Sequence, residues 1–150
     1  HMRKMKVGKI TFNEAYKAVS EYRRKFPQKA VTFYAQNYPS MGWAVFMASG
    51  SCPVIPCKDK AFLKDAAVME VEETNTDQYK KLVKSDTGNI IYSKSGTEIP
   101  IHLSSGKYVL KYIHPDSGKV DIINKSLKIK GLYTLKVPDK KEGIYWFHKL

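Results

Sequence analysis

"GNIIYSKSGTEIPIHLSSGKYVLKYIHPDSGKV", residues 88–120, decides the fold. Its apolar residues fall in short runs at 89–92, 99–103 and 107–114, rich in the β-branched and aromatic types that suit a pleated surface. Between the runs stand Ser95 and Gly96, then Ser104, Ser105 and Gly106, then Pro115, Asp116, Ser117 and Gly118, all turn formers. Side chains alternate across a strand, so Tyr108, Leu110 and Tyr112 share one face while Val109 and Ile113 share the other.

The same texture extends both ways. Upstream it covers 69–71 and 81–83; downstream it covers 120–123, 126–129, 132–137 and 144–150. Short strands at regular spacing, with turn residues between them, predict a β-sandwich or barrel. The expected fold class is therefore α+β: a short α/β segment over 1–67, then an antiparallel β-sandwich over 68–150.

The first segment reads differently. Thr11 and Glu14 form a capping box, and Phe12, Ala15, Tyr16, Val19, Tyr22 and Phe26 recur at helical spacing. This predicts a helix over 12–25, ended by Pro27. A strand is expected at 30–35. Ser40 is placed to cap a short helix carrying Trp43, Phe46 and Met47 on one face, with Gly50 just past its end. Asp59 opens another short helix over 60–67. His1 and Met2 read as a cloning remnant and carry no functional weight.

At 150 residues the chain is long enough for a sizeable core. Its net charge of +12 raises nucleic-acid binding as a candidate function. The distribution speaks against it: residues 31–50 carry no charge, and lysines in the last third are spread one per strand. Arginine, the residue best suited to bidentate base and phosphate contacts, is scarce. No apolar run approaches the length of a membrane span.

"GWAVFMASGSCPVIPC", residues 42–57, is uncharged and rich in small residues, and reads as a buried joint between the two segments. Ser51 and Cys52 are candidate nucleophiles, but the G-x-S-x-G elbow is missing, and His102, His114 and His148 all belong to the other half. Cys52 and Cys57 lack the second pair that structural zinc requires, so no metal is expected. Two buried thiols are the favoured reading, with a short-loop disulfide left open. Glu70, Glu72 and Glu73 form a candidate carboxylate site, or a solvated strand edge. Aromatic residues make up 12% of the chain, and a strand face of rings can stack on sugars or pack a core. On the sugar-binding reading the candidate contacts are Tyr112, Tyr108, Trp146 and Trp43.

Two segments carry a family resemblance. Leu103 and Ser104, followed by "GKYVLKYIHPDSG" at 106–118 and by "GLYTLKVPDKKEGIYWFHKL" at 131–150, resemble the C-terminal β-sandwich, of the collagen-binding type, that follows the (β/α)8 barrel of apiosidase-like glycoside hydrolases. Tyr112 stands where that pattern usually has Trp, and His114 where Asp is common. "GWAVFMASGS", 42–51, looks like the end of such a barrel. The resemblance brings no catalytic residue with it, and a full barrel needs about 250 residues. It implies a non-catalytic accessory or carbohydrate-binding module, secreted or periplasmic, with carbohydrate and a parent or partner glycosidase domain as its partners and no cofactor. A fragment of a larger glycosidase and a relative without the barrel both fit. A small enzyme using the 48–57 loop or the Glu70–Glu73 cluster, and a basic nucleic-acid binder, are the alternatives.

Overall fold

The computed structural model describes residues 10–32 and 39–150. The chain divides into two compact units, one ending at Val54 and one beginning at Ile55.

In the first unit, α1 (Phe12–Lys25) starts at the expected capping box. The Glu14 amide donates to Thr11 Oγ1 at 3.3 Å, and the Thr11 amide donates to Glu14 Oε2 at 3.0 Å. Ala15, Tyr16 and Val19 form its buried stripe, and Arg23, Arg24 and Lys25 complement the carbonyl end of the helix dipole. α2 (Pro39–Met47) begins one residue before Ser40, because the fixed φ of proline suits a first helical position. It ends in a Schellman pair: the Ser49 amide donates to the Phe46 carbonyl and the Gly50 amide to the Val45 carbonyl. The left-handed residue is Ser49, at φ 55°, and not Gly50. Gly50 serves close approach instead, since a Cβ there would lie 2.5 Å from Val45 Cγ1 and 3.1 Å from Val19 Cγ1.

Of the strand expected at 30–35, residues 33–35 lie outside the described residues, and 30–32 form no strand. The 42–57 stretch is buried only in part. Trp43 to Ala48 are buried, but Cys52 is exposed and Val54 is 85% exposed. Two prolines hold that end extended, which keeps it from folding back over itself. Both cysteines are free thiols, and Cys57 is the buried one.

In the second unit, Asp59 caps α3 (Lys60–Ala66) by accepting from the Phe62 amide at 2.8 Å. Then come β1 (Glu70–Glu72), β2 (Tyr79–Lys84), β3 (Gly88–Ser93), β4 (Glu98–Ile113), β5 (Val120–Lys136) and β6 (Gly143–Lys149). They form one antiparallel sheet in the order β1-β2-β3-β6-β4-β5. The runs expected as separate strands at 99–103 and 107–114 are one strand, and so are the three runs within β5. Ser104, Ser105 and Gly106 do not reverse the chain. They form a bulge, across which the β4–β5 register jumps from Leu103 opposite Gly131 to Gly106 opposite Ile129.

This bulge turns one sheet into a sandwich-like pair of layers. After it, residues 108–113 pair with β6 on one side and β5 on the other. Before it, residues 98–103 pair with β5 alone. That first half lies over the rest of the sheet: Lys81 Nζ of β2 donates to the Pro100 carbonyl at 2.8 Å, and the Tyr133 and Phe147 rings meet at 5.8 Å. Ile99, Ile101 and Leu103 thereby join Tyr108, Leu110, Tyr112, Tyr145 and Phe147 in one core. The burial pattern of β4 follows the geometry. It alternates through the first half, which is covered on one face, and is nearly continuous through the second.

Tyr108 locks the bulge. Its ring is fully buried, and its hydroxyl donates to the Ser104 carbonyl at 2.7 Å. Ser104 Oγ lies 3.0 Å from that hydroxyl, and it accepts from Lys149 Nζ at 3.0 Å. The Ser104 amide donates to the Asp86 carbonyl at 2.7 Å, tying the bulge to the β2–β3 turn. Tyr108→Phe, measured by urea unfolding, is expected to cost about 1–3 kcal/mol through the unsatisfied bulge groups. Tyr133→Phe, at a half-buried ring, should change stability by less than roughly 0.5 kcal/mol.

Candidate functional site

The four aromatic candidates for sugar stacking all sit below the surface: Trp43 and Tyr108 are 0% exposed, Trp146 2% and Tyr112 7%. This corrects their expected role as an open platform. Each is a large ring in a small unit, and the core takes it. Trp43 packs edge-on against Phe46 within α2. Tyr112 meets Tyr145 at 5.2 Å with the rings tilted by 54°, and donates its hydroxyl to the Glu142 carbonyl at 2.7 Å. Among the described residues, Tyr22 and Phe26 are exposed aromatic rings, stacked at 6.3 Å at the end of α1, where they line a shallow cleft of about 310 Å³.

Trp146 borders a cleft. Strands β4 and β6 place Lys111 directly opposite Trp146 and Val109 opposite His148. α3 crosses this face of the sheet and sets Phe62 edge-on to the indole at 5.3 Å. Between helix and sheet remains a cleft of about 420 Å³, floored by Trp146 and His148. Four lysines line it: Lys64 on α3, Lys84 at the end of β2, Lys111 on β4 and Lys149 on β6. One carboxylate, Asp65, lies among them.

Asp65 is fully engaged. Its Oδ2 accepts the Trp146 Nε1 proton at 2.8 Å, and its Oδ1 lies 3.3 Å from Lys84 Nζ. Lys111 Nζ sits 4.7 Å above the indole centroid, a cation–π contact that also covers the ring. Among the described residues, no carboxylate lies within salt-bridge range of Lys64, Lys111 or Lys149. The imidazole of His148 tilts against the indole at 4.6 Å, and its buried Nε2 has no hydrogen-bond partner. Burial, then the Lys111 charge, lowers its pKa below 6.5, with Asp65 and Asp59 opposing. The cleft is thus cationic, with a neutral imidazole at its floor.

The other candidates resolve into structure. Glu70 and Glu72 point from the short edge strand β1 into solvent, and Glu72 pairs with Lys81 at 3.4 Å. Ser51 Oγ accepts from the Val31 amide at 3.2 Å, and its own amide donates to the Val31 carbonyl, so the residue joins two backbone segments. His114 Nε2 meets Asp121 Oδ2 at 2.6 Å, with Lys119 also on Asp121; these contacts hold the Asp121 carboxyl below its ordinary pKa, the His114 bond most strongly. Among the described residues, no group of three His, Cys, Asp or Glu is placed to hold a metal. No described helix is long and apolar enough to cross a membrane.

The sequence pointed to Trp146 but not to Lys111, Asp65 and Lys64 as its surroundings. Strand alternation already put Trp146 with His148, and Lys111 with Val109. The missing fact was the antiparallel register that brings those two faces together.

A family described as "Domain of unknown function (DUF6298)" matches residues 1–69. No curated protein matches the chain. Among solved structures, the chain is similar to a protein described as "Glycoside hydrolase", at 11% identity and a TM-score of 0.40. The similarity covers 55% of this chain and 20% of that protein's length.

Asp65→Ala removes a charged acceptor from a buried indole N–H and is expected to lower stability by about 2–3 kcal/mol in urea unfolding. It should also shift the Trp146 indole proton resonance. His148 should titrate below 6.5 by NMR. The unfolded chain then binds its proton first, so this contribution to stability is present above pH 6.5 and lost as pH falls toward the folded value. His148→Gln should flatten that part of the stability–pH curve.

Proposed function

We propose that the protein is a non-catalytic accessory module of a carbohydrate-active system, acting outside the cytoplasm, and that its second unit contributes by binding. One observation carries this reading. The cleft on Trp146 holds a single carboxylate, which is already bonded to an indole and a lysine, whereas glycoside hydrolysis uses two carboxyl groups flanking the scissile bond. The remaining ionisable groups of the cleft are cations and a neutral imidazole, a set that attracts and orients an anionic ligand. The resemblance of residues 88–120 and 131–150 to the β-sandwich of apiosidase-like enzymes supplies the carbohydrate context. The N-terminal unit, with its buried α2 and capped α1, is read as the attachment side of the module.

A specific observation favours a second mode of binding. The stacked pair Tyr22 and Phe26 is exposed at 58% and 43%, and ring faces of that kind suit the apolar side of a neutral sugar.

Retention on immobilised polysaccharides, at low and high salt, tests the reading. Retention on at least one glycan, with no release of reducing ends during prolonged incubation, is the expected outcome. Steady release of reducing ends would refute the non-catalytic assignment. Salt-resistant retention on a neutral glycan, abolished by Tyr22→Ala with Phe26→Ala, would locate binding on α1.

A further inference from the structure

The cleft on Trp146 has a chemistry more specific than "carbohydrate", and the following rests on the carbohydrate reading for the polymer but not for the charged group. The second unit contains seventeen lysines, twelve carboxylates and no arginine. Most surface lysines of such a sheet stand singly, as protection of its edges. At this cleft Lys64, Lys84 and Lys111 come together from three different elements, with Asp65 the one carboxylate among the lining residues. Like charges brought together repel unless an anion or a counter-ion joins them. Asp65 offsets Lys84 and no other cation. Lys111 is held through the indole face, so its ammonium group is positioned before any ligand arrives, whereas the Lys149 side chain leaves the opposite face of β6 and is bonded at Ser104 Oγ. The cleft volume, about 420 Å³, falls in the range of small-ligand sites and suits one or two sugar residues.

We infer that this cleft binds the carboxylate or sulfate group of an acidic glycan, with Lys64 and Lys111 as its ligands. Ring stacking plays no part, because Lys111 covers the indole face. A nucleic acid fits the cleft less well. It offers no open ring for a base and no arginine for bidentate phosphate contact.

The test follows the Trp146 indole N–H and the His148 ring by NMR during titration of the full chain. The probes are a trigalacturonate, a sulfated galactan disaccharide free of uronic acid, a neutral cello-oligosaccharide and a short DNA duplex, at ~50 mM salt, where screening is modest. Saturable shifts of both resonances with the uronate or the sulfated sugar support the inference, and the stronger of the two identifies the oxyanion. A Lys64→Ala, Lys111→Met double variant, which keeps most of the aliphatic stem over the indole, should bind at least tenfold more weakly while retaining its fold by circular dichroism. An unmoved Trp146 resonance, an equal response to the neutral oligosaccharide, or unchanged affinity in the double variant overturns the site. Glycan binding that shifts other residues instead would leave the accessory-module reading standing without this cleft. Response to the duplex alone would overturn the glycan as ligand.

Discussion

The bulge at residues 103–106 is the constraint on which the second unit depends. A sixteen-residue strand continued straight would carry Ile99, Ile101 and Leu103 away from the rest of the sheet, with one apolar face in water. The bulge bends β4, and β5 bends with it, so the two strands form a ribbon that covers the sheet they come from. The bend is held by a small polar set. A buried tyrosine hydroxyl, a serine used through its amide, carbonyl and side chain, and one turn carbonyl satisfy each other where the ladder is interrupted. Unpaired backbone groups at such a point would cost more than the bend gains, which is why the lock and the bend occur together.

The same bend organises the candidate site. It ties the β2–β3 turn, beside Lys84 and Thr87, to β4. On the outer face, α3 completes the cleft through Phe62 and Asp65, both meeting Trp146. The indole therefore joins the two tasks: one ring packs the helix to the sheet, orients a carboxylate and supports a lysine. Rings supply the packing here and lysines supply the exposed chemistry, the reverse of an aromatic sugar platform.

Local chemistry made much of this legible in the sequence. The capping box at Thr11 and Glu14, the Asp59 cap and the alternation of Tyr108, Leu110 and Tyr112 each follow from interactions within a few residues; the first two gave their helices close to the observed bounds, and the third gave the second half of a longer strand. What depended on distant partners was not legible. "SSG" at 104–106 has the composition of a turn, and only its pairing with Ile129 and Gly131 makes it a bulge. Ser49, rather than Gly50, takes the left-handed conformation because Gly50 is needed where Val45 and Val19 approach. The cleft was illegible for the same reason. Lys111, Trp146 and Asp65 are scattered along the chain, and only strand register and helix placement assemble them.

The most direct measurement of the central claim is a nuclear Overhauser contact between the Tyr133 and Phe147 rings. These residues lie on β5 and β6, which are separated by β4 in the sheet and share no ladder. A sheet folded at the bulge brings their centroids to 5.8 Å, and a strong ring-to-ring contact is the expected result. A sheet that continues flat past residue 106 holds the two rings roughly 30 Å apart, because Tyr133 lies opposite Ile101 and Phe147 opposite Leu110, far along the same strand. Absence of the contact, with the β4–β6 contacts intact, would contradict the folded sheet and the core and cleft built on it.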